Sequence, residues 1–122
     1  MKTNLLFDTN IIIDYLNGMS YAKKWIDGCV GRAISVISVI EVLCGVPVEQ
    51  EPVIHHWLYQ SFTVLNLDDD IVLGAVNVRR TKKLKLPDTL ILSTAITHHL
   101  TLCTRDAKDF SVYQNVKVMV PK

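Results

Sequence analysis

The sequence predicts an α/β fold with a mainly parallel central sheet, in one domain spanning residues 1–122. Two observations carry this prediction. Short apolar runs of strand character alternate with segments of helical periodicity, the pattern of a parallel layered sheet. The chain has 122 residues, enough for one sizeable core and not for two. A third feature points to function. Asp8, Glu41, Asp88 and Asp106 each follow an apolar run and are expected where strand turns into helix, and the carboxyl ends of parallel strands share one edge of the sheet.

In order along the chain, Leu5-Leu6-Phe7 is the first strand. Ile11, Ile12, Ile13, Tyr15 and Leu16 form an apolar helix that stops at Asn17-Gly18. A second helix is expected over 21–29, closed by Gly28 and Gly31. Residues 33–36 make the next strand, and Ser38 is expected to cap a helix that runs to Gly45. Pro47 and Pro52 bracket a polar connection. Residues 55–60 read as helix and 62–65 as strand. Asp68, Asp69 and Asp70 open a long amphipathic helix as cap and first-turn acids. Pro87-Asp88 starts another helix that ends at His98-His99. Strands over 100–104 and 116–120 complete the pattern.

Composition narrows the function classes. Apolar residues make up 49% of the chain and mean hydropathy is +0.25, which excludes a disordered chain and leaves apolar surface for a partner. Net charge is only +1, but Arg79, Arg80, Lys82, Lys83 and Lys85 place five cations within seven residues. That run serves either as a solvated helix end or as a grip on phosphate. Cys29, Cys44 and Cys103 are odd in number and lack a C-x-x-C spacing, so they are expected to be buried, reduced thiols. No run approaches the roughly 18–20 apolar residues of a membrane span. Asp8, Asn10 and Asp14 interrupt the first apolar run, which is therefore no signal peptide. The expected location is cytoplasmic.

Four acids stand out: Asp8, Glu41, Asp88 and Asp106. Each has a bland explanation. Asp8-Thr9-Asn10 is a good helix start, Ser38-Val39-Ile40-Glu41 fits a capping box, Asp88 suits a first turn, and Asp106 suits an ordinary turn. Four caps, however, predict nothing about convergence. Carboxylates gathered at one edge raise each other's pKa unless a cation shares the site, and a hard ion such as Mg²⁺ or Mn²⁺ takes oxygen ligands. Asp14, one turn and a half beyond Asp8, has at most a supporting place. The pairs His55-His56 and His98-His99 are adjacent and so cannot share one helix face as ligands.

Together the segments Leu5–Asp14, Ile34–Leu43, Leu86–Ile91 with Ser93-Thr94-Ala95, and Thr104–Phe110 resemble the PIN-domain nucleases, and within them the VapC-type toxins of toxin–antitoxin pairs. The resemblance spans essentially the whole chain. It implies a three-layer α/β/α sandwich and a metal-dependent endoribonuclease, with Asp8, Glu41, Asp88 and Asp106 as catalytic and metal-holding acids. Members differ in the last segment, so Asp109 stands as an accessory beside Asp106. Asn10 and Thr104 would orient ligands or substrate. The implied chemistry is in-line hydrolysis of an RNA phosphodiester supported by Mg²⁺ or Mn²⁺, leaving 5′-phosphate and 3′-hydroxyl ends. The implied partners are an RNA substrate held by Arg79, Arg80, Lys82, Lys83 and Lys85, a cognate antitoxin, and a second copy in a homodimer.

Three alternatives stay open. A receiver-like signalling domain shares the length, the parallel sheet and an acidic Mg²⁺ pocket, but wants paired acids after its first strand, where this chain has Asp-Thr-Asn. A PIN nuclease could process RNA outside any toxin pair. A nuclease-shaped binding module would need none of the four acids.

Overall fold

The computed structural model describes residues 2–110 and 117–121. The elements are β1 (Lys2–Thr3), β2 (Leu5–Phe7), α1 (Thr9–Leu16), α2 (Ser20–Asp27), β3 (Cys29–Val30), β4 (Ala33–Ser35) and α3 (Val36–Cys44). A 3₁₀ turn at Val48–Gln50 leads into α4 (Glu51–Ser61), β5 (Thr63–Leu65), α5 (Asp69–Thr81), α6 (Leu86–Thr97), β6 (Thr101–Cys103), α7 (Ala107–Phe110) and β7 (Val118–Met119).

Five strands form one sheet in the order β5-β4-β2-β6-β7, and every pairing in it is parallel. β1 and β3 form a separate parallel pair. Asn4 turns the chain between β1 and β2 with φ 60°, a left-handed conformation that Asn tolerates better than most residues.

The strand period of two explains the layers. Leu5 and Phe7 point to one face of the sheet, where they pack with Ile11, Ile12, Ile26, Ile34 and Leu58. Leu6 points to the other, among Val78, Ile91, Leu92, Leu102 and Phe110. One core therefore lies under α1, α2 and α4 and the other under α5, α6 and α7. α3 gives Val39 and Val42 to the first core and Ile37 to the second. This is the three-layer sandwich, and β2 is apolar throughout because both its faces are covered.

Strand order also locates the site. From β2 the chain moves outward through β4 to β5, then crosses back to β6 on the opposite side and on to β7. The direction reverses between β2 and β6. At such a switch point the connections leave the carboxyl ends on opposite sides and open a crevice.

Several local expectations need correction. The 21–29 helix spans Ser20–Asp27, and Cys29 instead pairs in β3. α3 begins at Val36, two residues before the expected cap. Ser35 is its cap, accepting from the Ile37 N–H, and Ser38 lies inside the helix, so no capping box joins Ser38 to Glu41. The strand expected over 100–104 is Thr101–Cys103, and Val116, the expected start of the last strand, lies outside the described residues. Asp68 does cap α5, accepting from Ile71 N–H at 2.9 Å. Cys29 and Cys103 are buried free thiols, but Cys44 is exposed.

Candidate active site

Asp8 is the residue immediately after β2, and Thr104 the residue immediately after β6. The two strands at the switch point thus deliver them side by side. The Asp8 N–H donates to the Cys103 carbonyl at 2.9 Å, which locks the strand ends together. The Thr104 hydroxyl donates to Asp8 Oδ2 at 2.7 Å, and the Thr9 N–H donates to Oδ1 at 2.8 Å. Both carboxylate oxygens are therefore held, and the side chain is only 5% exposed. Asp8 starts α1 and orients a carboxylate at the same time.

The next two residues extend the network. The Thr9 hydroxyl lies 2.7 Å from Glu41 Oε1, to which it donates, and 2.9 Å from the Ser38 hydroxyl. Asn10 Nδ2 reaches Thr104 Oγ1 at 3.3 Å and Asp106 Oδ2 at 3.2 Å, and Asn10 Oδ1 accepts from the Arg105 N–H at 3.4 Å. The Asp106 N–H closes the turn on Thr104 Oγ1 at 3.0 Å. A helix start, an interior turn of α3 and the β6–α7 loop are tied into one cluster.

Electrostatics bring in Asp88. The Asp8 carboxyl is pushed up to about 6 from an ordinary 3.8, chiefly by burial, against the lowering effect of its Thr104 and Thr9 hydrogen bonds. The charges of Asp88 and Asp106 raise it further. Mutual repulsion of this kind is the signature of acids sharing one space. Asp88 sits in the first turn of α6, at a helix-to-helix junction. Unlike Asp8 it does not follow a strand. The expectation that all four acids lie at strand ends is corrected here: α5 and α6 pack together and carry Asp88 to the edge from another layer.

The acids are also less tightly gathered than expected. Among the described residues, no three carboxylate, imidazole or thiol groups stand close enough to hold an ion as placed. Asp8, Glu41 and Asp106 each accept from a neutral donor. The donor set around Asp8 is all oxygen, which fits a hard divalent ion and not a soft one.

A family model described as PIN domain matches residues 5–115. The chain belongs to the PIN domain family. Its relatives include a chain of a toxin–antitoxin complex from Klebsiella pneumoniae, 38% identical, with a TM-score of 0.82 over 92% of this chain and 94% of that one. FitAcB from Neisseria gonorrhoeae is 27% identical, with a TM-score of 0.77 and coverage of 94% and 96%. Ribonuclease VapC1 of Methanocaldococcus jannaschii is 25% identical over 114 residues, 89% of this chain and 80% of that protein. Family membership sets the receiver-like alternative aside.

Arg79 and Arg80 end α5 and line an open groove of about 490 Å³ with Val72, Ala75, Val76, Leu86 and Leu90. Lys82, Lys83 and Lys85 lie on the connection into α6, and Lys85 is its N-terminal flanking residue, three positions before Asp88. The side chain of Asp109 lies outside the described residues; its backbone belongs to α7. No helix among the described residues is long and apolar enough to cross a membrane.

Two sets of contacts escaped the sequence reading. Thr9 is the link between Asp8 and Glu41, and its position inside Asp-Thr-Asn was the available signal. Asp14 is buried, with the Tyr21 hydroxyl donating to it and Arg105 Nε 3.1 Å away. No local pattern could reveal that contact, because its partners come from α2 and from the loop after β6.

Proposed function

We propose that this PIN domain, acting as one catalytic unit over 1–122, is a divalent-metal-dependent endoribonuclease and the toxin of a toxin–antitoxin pair. The observation that carries the reading is Asp8 at the sheet's switch point, fixed by Thr104 and raised in pKa by burial and, beyond that, by the charges of Asp88 and Asp106. Asp8, Asp88 and Asp106 would hold Mg²⁺ or Mn²⁺, with Glu41 completing the acidic wall and Asp109 in reserve beside Asp106. When bound, the ion supplies Lewis-acid activation of water and neutralises charge on the scissile phosphate.

The chain's own residues do the rest. Thr104 and the Thr9 N–H keep Asp8 in one orientation. Asn10 holds the Asp106 carboxylate toward the same edge, and Thr9 turns Glu41 inward. Lys82, Lys83 and Lys85, leading into Asp88, grip the RNA backbone, with Arg79 and Arg80 behind them. The ribonuclease name of one relative and the toxin–antitoxin complex of another support the substrate class and the biological role. The antitoxin covers the apolar cleft between α1 and α3, lined by Ile13, Leu16, Val42 and Val46. With RNA as substrate, the protein works in the cytoplasm.

A second copy pairs through α5. Val72 and Val76 are exposed on one stripe of that helix, between Asp69 at one end and Arg79 and Arg80 at the other. An antiparallel two-fold pairing sets each acid against the partner's arginines, the self-complementarity that a symmetric dimer needs. The decisive test of the nuclease is cleavage of a structured-RNA panel by partner-free protein with Mg²⁺, Mn²⁺ or chelator, beside Asp8→Asn. Metal-dependent cuts that vanish in the variant are expected; equal activity in the variant would place the site elsewhere.

A further inference from the structure

Asp106 is exposed and sits on a loop, yet a metal-holding carboxylate must keep its place to within a fraction of an ångström. Among the described residues its carboxylate accepts from Asn10 Nδ2, at 3.2 Å. What steadies the loop lies one helical turn further along α1. Asn10 and Asp14 are four residues apart and so share a face of that helix. Asn10 takes the backbone of the loop at Arg105 N–H, and Asp14 takes the Arg105 side chain, Nε to Oδ2 at 3.1 Å.

Asp14 is itself fixed. It is 5% exposed, and the Tyr21 hydroxyl of α2 donates to the same Oδ2 that meets Arg105. Burial, and then the bond to Asp14, push the Tyr21 hydroxyl far above its ordinary range, so it remains a donor throughout the working pH range. Arg105, by contrast, has half its side chain in solvent. A buried acceptor thus anchors the half-exposed arginine that stands in sequence directly between the two site residues Thr104 and Asp106.

We infer that Asp14 and Arg105 are positioning residues: α1 clamps the Thr104-Arg105-Asp106 segment at two points, and the Asp14–Arg105 bridge sets where Asp106 stands relative to Asp8. The inference rests on the reading of this site as a divalent-metal centre. Groups that orient metal-holding side chains alter metal affinity by about 10–100-fold when removed, and a bridge that only stabilised the fold would leave that affinity alone.

The test is direct Mn²⁺ titration of the full chain by calorimetry, without RNA. Arg105→Gln is expected to raise the Mn²⁺ Kd about tenfold or more, and Arg105→Lys, which keeps a cation for Asp14, to recover most of that loss. Leu58→Ala, a core truncation under α4, serves as the destabilised control and should keep the wild-type Kd. Should Arg105→Gln fail to fold around an unpaired Asp14, the neutral pair Asp14→Asn with Arg105→Gln replaces it. A folded variant of either kind with wild-type Mn²⁺ affinity overturns the inference and leaves the nuclease reading standing. A wild-type chain that neither binds Mn²⁺ nor cuts RNA removes both.

Discussion

Asp8→Asn should leave the protein catalytically dead and, without metal, more stable near pH 8. The Asp8 carboxyl is raised from 3.8 to about 6 in the folded chain. Each pH unit is worth about 1.4 kcal/mol, so keeping the group ionised above pH 6 costs the fold about 3 kcal/mol. The sign follows from linkage. Below 3.8 both folded and unfolded chains carry the protonated acid and nothing is lost. Stability falls as pH rises from there through 6, and the full cost is present above it. Asn removes that cost, but its single oxygen cannot accept from both the Thr9 N–H and the Thr104 hydroxyl as Asp8 does. That cost is already net of the two bonds to the charged carboxylate, so the further loss is one neutral hydrogen bond, about 0.5–1.5 kcal/mol, leaving a net gain of about 2 kcal/mol at pH 8 and a small net loss at pH 4. Thermal unfolding in chelator across pH 4–8.5 measures it. The curves of wild type and variant should cross between about pH 4 and 5. A variant less stable than wild type at pH 8, with no pH dependence in the difference, would refute the clustered-acid argument.

Three further outcomes follow from the same geometry. A Cβ on Gly74 would lie 2.5 Å from the Ser93 hydroxyl oxygen, which donates to the Ile71 carbonyl at 2.7 Å across the α5–α6 contact. Overpacking costs about 1–3 kcal/mol against a helix-propensity gain of about 1 kcal/mol, so Gly74→Ala should lower the urea midpoint and Gly74→Ala with Ser93→Ala should recover it. RNA binding by the catalytically inactive chain should weaken with salt, and Lys83→Gln should reduce the log–log slope by about 1 if Lys83 meets a phosphate; an unchanged slope would remove it from the grip. Val76→Asp should convert a dimer to monomer in sedimentation velocity while leaving the circular dichroism spectrum intact, and an unchanged mass would move the two-fold contact off α5.

The chemistry of this protein was legible locally wherever neighbouring residues decide it. Asp8-Thr9-Asn10 after three buried apolar residues, Asp68 as the cap of α5, and alternation of strands with helices all depend on periods of two and 3.6 and on short-range hydrogen bonds. They led to the parallel sheet and the four acids, while the three layers followed from the resemblance to the PIN-domain nucleases. What adjacency cannot encode is which strand lies beside which. The order β5-β4-β2-β6-β7 is chosen by how two cores close over β2, and it alone brings Thr104 onto Asp8 across 96 residues of chain. Burial is likewise a property of the closed fold. Ser38 looks like a cap in sequence but lies inside α3, because Ser35 ends a strand that the sheet has already positioned. Asp14 reads in sequence as an acid inside the first helix with at most a supporting place, and only the fold, in which α2 and the loop after β6 enclose it, gives it Tyr21 and Arg105. Residue type supplied the carboxylates; long-range packing decided which of them share a space, because only the folded chain removes water from around them.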